Sequence, residues 1–291
     1  RAPVLLTTAE LARLLRVTER TVYDLAARGQ VPATRVTGKL LFPRQQVLDW
    51  IASQTQQPPG AAPAPPVYAG SNDPLLEWAL GQSGAGLAIL ANGSLPGVQA
   101  VLESRALLAG CHVRDGADGG WNPPGLLGES PGTGWVAIHW ARRTQGLLVP
   151  ADNPLAVTGL VDAFDRGLSI ALRAAGSGSR VLLESLLRSA GRDPGQLSTA
   201  LRTASTHADV AAMVDAGEAD CGLALQAVSG RLGFLPLVAD ESFDLVMRQQ
   251  HYFQPPVQVL LRFAGSTVFQ RRAAFLGGYD LSAHGAVRWT R

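Results

Sequence analysis

"TTAELARLLRVTERTVYDLAARG", residues 7–29, holds two short apolar patterns either side of a brief polar break. Thr7 and Glu10 have the spacing of a capping box, in which the threonine caps the helix start and the glutamate reaches back three residues. Leu11, Leu14 and Leu15 then form one face. Thr18 is placed to cap a second helix, whose Val22 and Leu25 face inward and whose Gly29 supplies a left-handed stop. This is helix-turn-helix spacing. Downstream, "VPATRV" (31–36) and "KLLF" (39–42) read as strands around a Thr37-Gly38 turn. Pro43 can open a third helix, with Val47, Leu48, Trp50 and Ile51 as its buried stripe.

Laid out in this order, "TTAELARLLRVTERTVYDLAARGQVPATRVTGKLLFPRQQVLDWI" resembles the MerR-type, excisionase-like winged helix-turn-helix family, over residues 1–52 as a domain. The resemblance implies double-stranded DNA as partner, with the start of the second helix in the major groove. That start holds Thr18, Glu19, Arg20, Thr21 and Tyr23, and, Glu19 aside, these are candidate DNA contacts. Arg20 suits base readout, because a guanidinium can bond O6 and N7 of guanine together. Thr21, Tyr23 and Arg28 suit phosphates, which position without specifying. Lys39, the sole lysine of the chain, and Arg35 lie on the wing, where they either touch a neighbouring phosphate backbone or are solvated surface. Charge points the same way: residues 1–57 hold 8 of the 25 basic residues and 4 of the 23 acids, leaving 17 against 19 for the remainder. A domain this small makes few phosphate contacts, so a homo-oligomer, dimer or higher, is expected. The competing reading is a winged helix that binds protein.

"SQTQQPPGAAPAPP", residues 53–66, has no apolar periodicity and reads as a semi-rigid Pro-rich linker. From Val67 onward apolar strands alternate with helical patterns: "PVYAGS" then "DPLLEWALGQ", "GLAILANGS" then "PGVQAVLESRALLAG", "WVAIHWARRTQGLLVP", "LSIALRAAGSGS" then "RVLLESLLRSA", and "AAMVDAG" then "DCGLALQAV". The alternation predicts an α/β fold with mostly parallel sheet. Ligands in such folds lie beyond the carboxyl ends of the strands. Three junctions there carry small polar residues: Gly70, Ser71, Asn72 and Asp73; Asn92, Gly93 and Ser94; and Gly176, Ser177, Gly178 and Ser179. Glycine admits close approach, serine donates a hydroxyl, and a helix start favours negative charge, so together they predict an oxyanion site. Taken singly, each is an ordinary turn. Arg173 and Arg180, which flank "AAGSGS", either add charge to the site or pair with surface carboxylates.

"AGSNDPLLEWAL", "NGSLPGV", "GLLVPADNPLAVTGLVD", "ALRAAGSGSR", "THADVAAMVDAGEADCGLAL", "FLPLVADESFDLVMR" and "LGGYD" make residues 67–291 similar to the type II periplasmic-binding-protein superfamily, near molybdate- and tungstate-binding proteins. The resemblance implies a two-lobed α/β domain: lobe I about 67–148 and 247–291, lobe II about 149–246. It places the anion-contacting positions at Ser71, Asn72 and Ser94 on the first lobe and Arg173, Ser177 and Ser179 on the second, with Thr206 and His207 adding contacts. The effector it implies is molybdate or tungstate; an organic carboxylate or a molybdenum-cofactor precursor is the alternative. Asp73 departs from this picture as a like charge beside the first anion loop. It either strengthens a helix start or marks a ligand bearing a cationic or hydroxyl group.

No cofactor or metal cation is expected. Cys111 and Cys221 lack ligand or disulfide spacing, and the five histidines are scattered. "GESPG" (128–132) matches a hydrolase pattern but sits in a Pro/Gly-rich loop without the strand-turn-helix that exposes a nucleophile, and an enzyme is not expected. No run of 18 apolar residues occurs, which predicts a cytoplasmic chain with no membrane partner.

Overall fold

The computed structural model describes residues 4–36, 38–54, 63–114, 120–128 and 134–291. The middle of the Pro-rich linker, Thr37 of the wing turn and all but the first residue of "GESPG" lie outside the described residues. The chain forms two compact units that part near residue 61.

The first unit runs β1 (Leu5–Leu6), α1 (Thr8–Leu15), α2 (Glu19–Ala27), β2 (Thr34–Val36), β3 (Lys39–Pro43) and α3 (Arg44–Gln54). Thr7 and Glu10 form the reciprocal capping box, and Arg16 ends α1 in the left-handed region at φ 58°. Thr18 caps α2 by accepting the Thr21 N–H. Leu6, Leu11, Val22, Val31, Phe42 and Val47 are buried together, with Leu14, Leu15, Leu25, Trp50 and Ile51 packed around them. One strand goes beyond the sequence expectation: Leu5 and Leu6 pair antiparallel with Pro43 and Phe42, giving the sheet order β1-β3-β2.

From residue 67 the elements are β4 (Val67–Gly70), α4 (Pro74–Gln82), β5 (Ala88–Leu90), α5 (Ser94–Leu102), β6 (Leu108–Cys111), β7 (Trp135–Val149), α6 (Leu160–Asp165), β8 (Ile170–Ala171), α7 (Gly178–Ser189), α8 (His207–Asp215), β9 (Cys221–Leu225), β10 (Gly233–Arg248), α9 (Gln249–Tyr252), α10 (Pro255–Ala264), α11 (Thr267–Leu276), β11 (Tyr279–Asp280) and β12 (Val287–Thr290). Nine strands form one sheet in the order β5-β4-β6-β10-β7-β9-β8, with β11 and β12 also on β7.

Two expectations are corrected here. The sheet is not mostly parallel: β4 pairs parallel with β5 and β6, and β8 with β9, but β10 pairs antiparallel with β6 and β7, and β7 antiparallel with β9, β11 and β12. The cause lies in β7 and β10, 15 and 16 residues long, which carry the chain out of one half of the sheet and back. Two such strands lying side by side must run in opposite directions. Secondly, "PGVQAVLESRALLAG" is not one helical pattern. The helix stops at Leu102, Ser104 turns the chain at φ 57°, and Leu108–Cys111 is a fully buried strand.

Each half of the sheet has its own core. Ala69, Val98, Val101, Ala109, Cys111, Trp135 and Val246 fill one. Leu147, Val149, Leu160, Ile170, Leu183, Leu187 and Leu223 fill the other, flanked by Val210, Met213 and Val214 of α8. The result that matters for function is a shared direction. The parallel strands β4, β5 and β6 all end toward one edge, and β8 ends across from them, so the residues after each strand end face a common cleft.

Candidate functional site

Ser71 and Asn72 follow β4, Asn92 and Gly93 follow β5, His112 follows β6, and Arg173 follows β8; with Ala174–Ser179, Ser205 and His207 they line one cavity of about 400 Å³. Six sequence-predicted positions therefore meet in it: Ser71, Asn72, Arg173, Ser177, Ser179 and His207.

The packing that brings them together is close. At Gly97 an added Cβ would run into the backbone of Gly70. A bare glycine lets α5 sit directly on the end of β4, so the α5 start lies beside Ser71. Ser71 Oγ is 2.7 Å from Ser94 Oγ, and the His112 N–H donates to Ser94 Oγ at 3.2 Å. Where Ser94 donates to Ser71, the Ser71 hydroxyl proton is free for a ligand. No side chain caps α5, so its first amides also remain open donors.

Two predicted contacts lie elsewhere. Ser94 sits behind Ser71 and lines an adjoining cavity instead. Thr206 does not line the cavity, because its hydroxyl is engaged in capping α8 through the Asp209 N–H at 3.0 Å. Asn72 lines it but donates its amide to Glu77.

Of the two readings of Asp73, the structure bears out the strengthened helix start, since it caps α4. Its side chain is fully buried and faces away from the cleft: Oδ1 accepts the Leu76 N–H, while Oδ2 accepts from Arg143 at 3.1 Å and from the Tyr279 hydroxyl at 2.9 Å. Its charge is met by Arg143 and does not oppose an anion in the cavity. Arg180 is likewise resolved, paired with Glu184 at 2.6 Å.

Arg173 is the cation left for the cavity. It forms no ion pair among the described residues, and its Nε is buried without a hydrogen-bond partner there. Burial lowers its pKa, with Asp209 acting in the opposite sense, and a guanidinium remains charged regardless. His207 is neutral: burial first, then Arg173, pull its pKa well below the usual imidazole range. Leu225 donates its N–H to His207 Nδ1 at 3.3 Å, so the ring proton belongs on Nε2, which lies 3.4 Å from Ser179 Oγ. Among the described residues, no carboxylate lines the cavity. Hydroxyls, helix-start amides, the His207 imidazole N–H and an unpaired guanidinium are among its polar groups, a set of donors suited to an anion.

His112 is the residue the sequence reading missed. It is buried, lines both cavities, and stacks on Phe243. Its Nδ1 lies 2.6 Å from Glu241, which Arg143 and Gln145 also bind. Burial alone would raise the Glu241 carboxyl, but Arg143 and His112 outweigh it and hold it at about 2.

In the first unit Thr18, Arg20, Thr21, Tyr23, Arg28, Arg35 and Lys39 are all exposed. Arg20, Arg28, Arg35 and Lys39 make no ion pair among the described residues, so their charge is directed to solvent. Thr18 and Thr21 bond each other at 2.9 Å as part of the α2 cap. Tyr23 and Arg35 line a groove between α2 and the wing.

The profile of the PBP superfamily domain matches residues 77–265, and that of a helix-turn-helix domain matches residues 5–55. This chain belongs to the PBP superfamily. The protein YvgK of Bacillus subtilis (strain 168) is 26% identical over 97% of this chain and 96% of its own length. Among solved structures, a mutant of Corynebacterium glutamicum OxyR, H2O2-bound, covers 93% of this chain and 90% of its own at TM-score 0.51 and 16% identity. A Clostridium perfringens protein described as a phosphate ABC transporter substrate-binding protein, with bound phosphate, covers 72% of this chain and 96% of its own at TM-score 0.52 and 14% identity. Likenesses at this identity show the fold. A helix-turn-helix domain joined to a PBP superfamily domain is the architecture of a ligand-responsive DNA-binding regulator.

Proposed function

We propose that the chain is a transcriptional regulator whose effector is a small oxyanion, molybdate or tungstate being the first candidates. The observation that carries this is Arg173, a cation without a carboxylate partner among the described residues, facing hydroxyls and helix-start amides in a cavity that none of their carboxylates lines. A fully deprotonated oxyanion suits a lining in which donors predominate, and molybdate, tungstate and sulfate are of that kind. The anion bridges the residues after β4 and β5 to those after β8, drawing two lobes together. Arg20 reads a base, Thr18, Thr21, Tyr23 and Arg28 set the position of α2, and Arg35 and Lys39 bind the adjoining backbone. Two copies act together on paired half-sites, since one small domain makes few phosphate contacts.

A second reading has its own observation. An adjoining cavity of about 500 Å³, lined by Leu95, Val113, Trp121, Val181 and Leu182, meets the first at His112, Gly176 and Gly178. An organic effector with an anionic group in the first cavity and an apolar body in the second would use both.

Two enzyme-like groupings and one redox reading are disfavoured by geometry. Ser179 lies near His207 Nε2, but that nitrogen carries the proton and the ring is neutral, so it cannot accept one from the serine. Ser242 and Asp244 both address His139 at Nδ1, leaving no relay through the ring. Cys111 and Cys221 are buried, and burial pushes both thiols up, Cys221 to about 12, the opposite of a reactive thiolate.

Calorimetric titration of the full chain with molybdate and tungstate, beside sulfate and phosphate, tests the effector. Micromolar or tighter binding of the first pair, and a change in DNA affinity on adding them, is expected. Heat from none of the four anions would sink the oxyanion assignment and leave the organic effector.

A further inference from the structure

Two histidines line the cavity, and their second nitrogens are held in opposite ways. His207 Nδ1 accepts a backbone N–H from Leu225, so the neutral ring presents Nε2–H as a donor. His112 Nδ1 faces the Glu241 carboxylate at 2.6 Å, and a carboxylate only accepts, so Nδ1 must carry the proton. Neutral His112 therefore presents a bare lone pair at Nε2. That nitrogen makes no hydrogen bond among the described residues, and its ring lines the anion cavity. A lone pair opposes an anion, whereas a second ring proton turns the same atom into a charged donor.

We propose that His112 is an anion-binding residue whose contribution requires its own protonation, so that each bound oxyanion brings one proton into the cleft. The inference rests on the oxyanion reading above. Every charged or titratable neighbour enters the balance. Glu241 on β10 favours the imidazolium. Arg143 on β7 opposes it but is shared with Asp73 at the α4 start, beside Tyr279 of β11. Arg173 and His207 across the cavity, and Arg114 two residues along, complete the set, and Arg173 opposes protonation until an anion arrives. A dianion placed between Arg173 and His112 cancels that repulsion and adds an attraction. Sequence placed Glu241 and His112 far apart, and only the fold shows them as one unit.

The test is calorimetry of the full chain with tungstate from pH 7 to 8.5, in buffers of different ionisation enthalpy. The wild-type protein should take up protons on binding tungstate, at most one per anion from His112, with affinity falling as pH rises. His112→Gln should bind more weakly and lose that pH slope, while His207→Gln should weaken binding and keep it. Tight binding with no proton uptake, or a slope retained in His112→Gln, overturns the proposal while leaving the oxyanion reading intact. Absence of any tungstate, molybdate, sulfate or phosphate heat in the wild-type chain overturns both.

Discussion

Gly178→Ala isolates the contact between the two sides of the cleft. An added Cβ at Gly178, the first residue of α7, would lie 2.8 Å from Nε2 and 3.0 Å from Nδ1 of His112, and closer still to Cε1. Ordinary non-bonded separations are about 3.5 Å, so ring and helix must part by on the order of 1 Å. His112 cannot simply swing aside, because Glu241 holds one edge of its ring and Phe243 covers a face. Overpacking of this kind costs about 1–3 kcal/mol. The φ of Gly178 is not positive, so alanine is otherwise welcome there and gains up to about 1 kcal/mol as a helix former. The clash acts on the arrangement in which α7 touches His112, so effector affinity is expected to fall about 5- to 150-fold, and the helix propensity gained offsets part of the accompanying loss of Tm. In a His112→Ala background the same methyl should cost nothing, giving a coupling of about 1–3 kcal/mol in a double-mutant cycle. Wild-type affinity in Gly178→Ala, or an equal loss in the His112→Ala background, would refute a role for the contact between α7 and His112 in binding the effector.

Other perturbations probe separate parts. Arg173→Ala or Ser71→Ala removes a charge-assisted contact worth about 1.5–3 kcal/mol, so calorimetry should show anion affinity falling about 10- to 150-fold with the melting temperature little changed. Arg143→Met leaves Asp73 and Glu241 buried without their counter-charge and should cost about 3–5 kcal/mol in urea unfolding. The Glu241 carboxyl sits at about 2 in the folded chain against an ordinary 4.5, so its stabilisation is complete above about pH 4.5 and is lost as pH falls toward 2. Urea midpoints measured between about pH 6 and pH 3 should decline accordingly. Arg20→Ala should cost about 1–3 kcal/mol of DNA binding and relax preference at one base, while Lys39→Ala should weaken all sequences alike and lower the salt slope by about 1.

The winged helix-turn-helix was legible because its signals are local: Thr7, Glu10 and Thr18 act on their own first turns, and the apolar stripes of α1 to α3 repeat at helical spacing. In the second unit the strand-to-helix junctions were equally local, and they led to Ser71, Ser177 and Ser179, while Arg173 and His207 came from the resemblance to the binding-protein superfamily. What escaped was set by pairings distant in sequence. Strand direction depended on β7 meeting β10, and no residue of "WVAIHWARRTQGLLV" states which partner it takes. Asp73 looked like an obstacle to an anion because its counter-charge, Arg143, lies 70 positions away. His112 was hidden by one misplaced boundary. With "LAG" (108–110) taken into a helix, the residues just after it had no reason to face a ligand; following the end of β6, parallel to β4, His112 falls under the rule that found Ser71. The junctions of β4, β5, β6 and β8 thus act as one set. Ser71, Asn92, His112 and Arg173 each follow a parallel strand end, and of the four only His112 is tied, among the described residues, through Glu241 to both crossing strands. A ligand that engages it therefore acts through Glu241 on β10 and through Arg143 on β7.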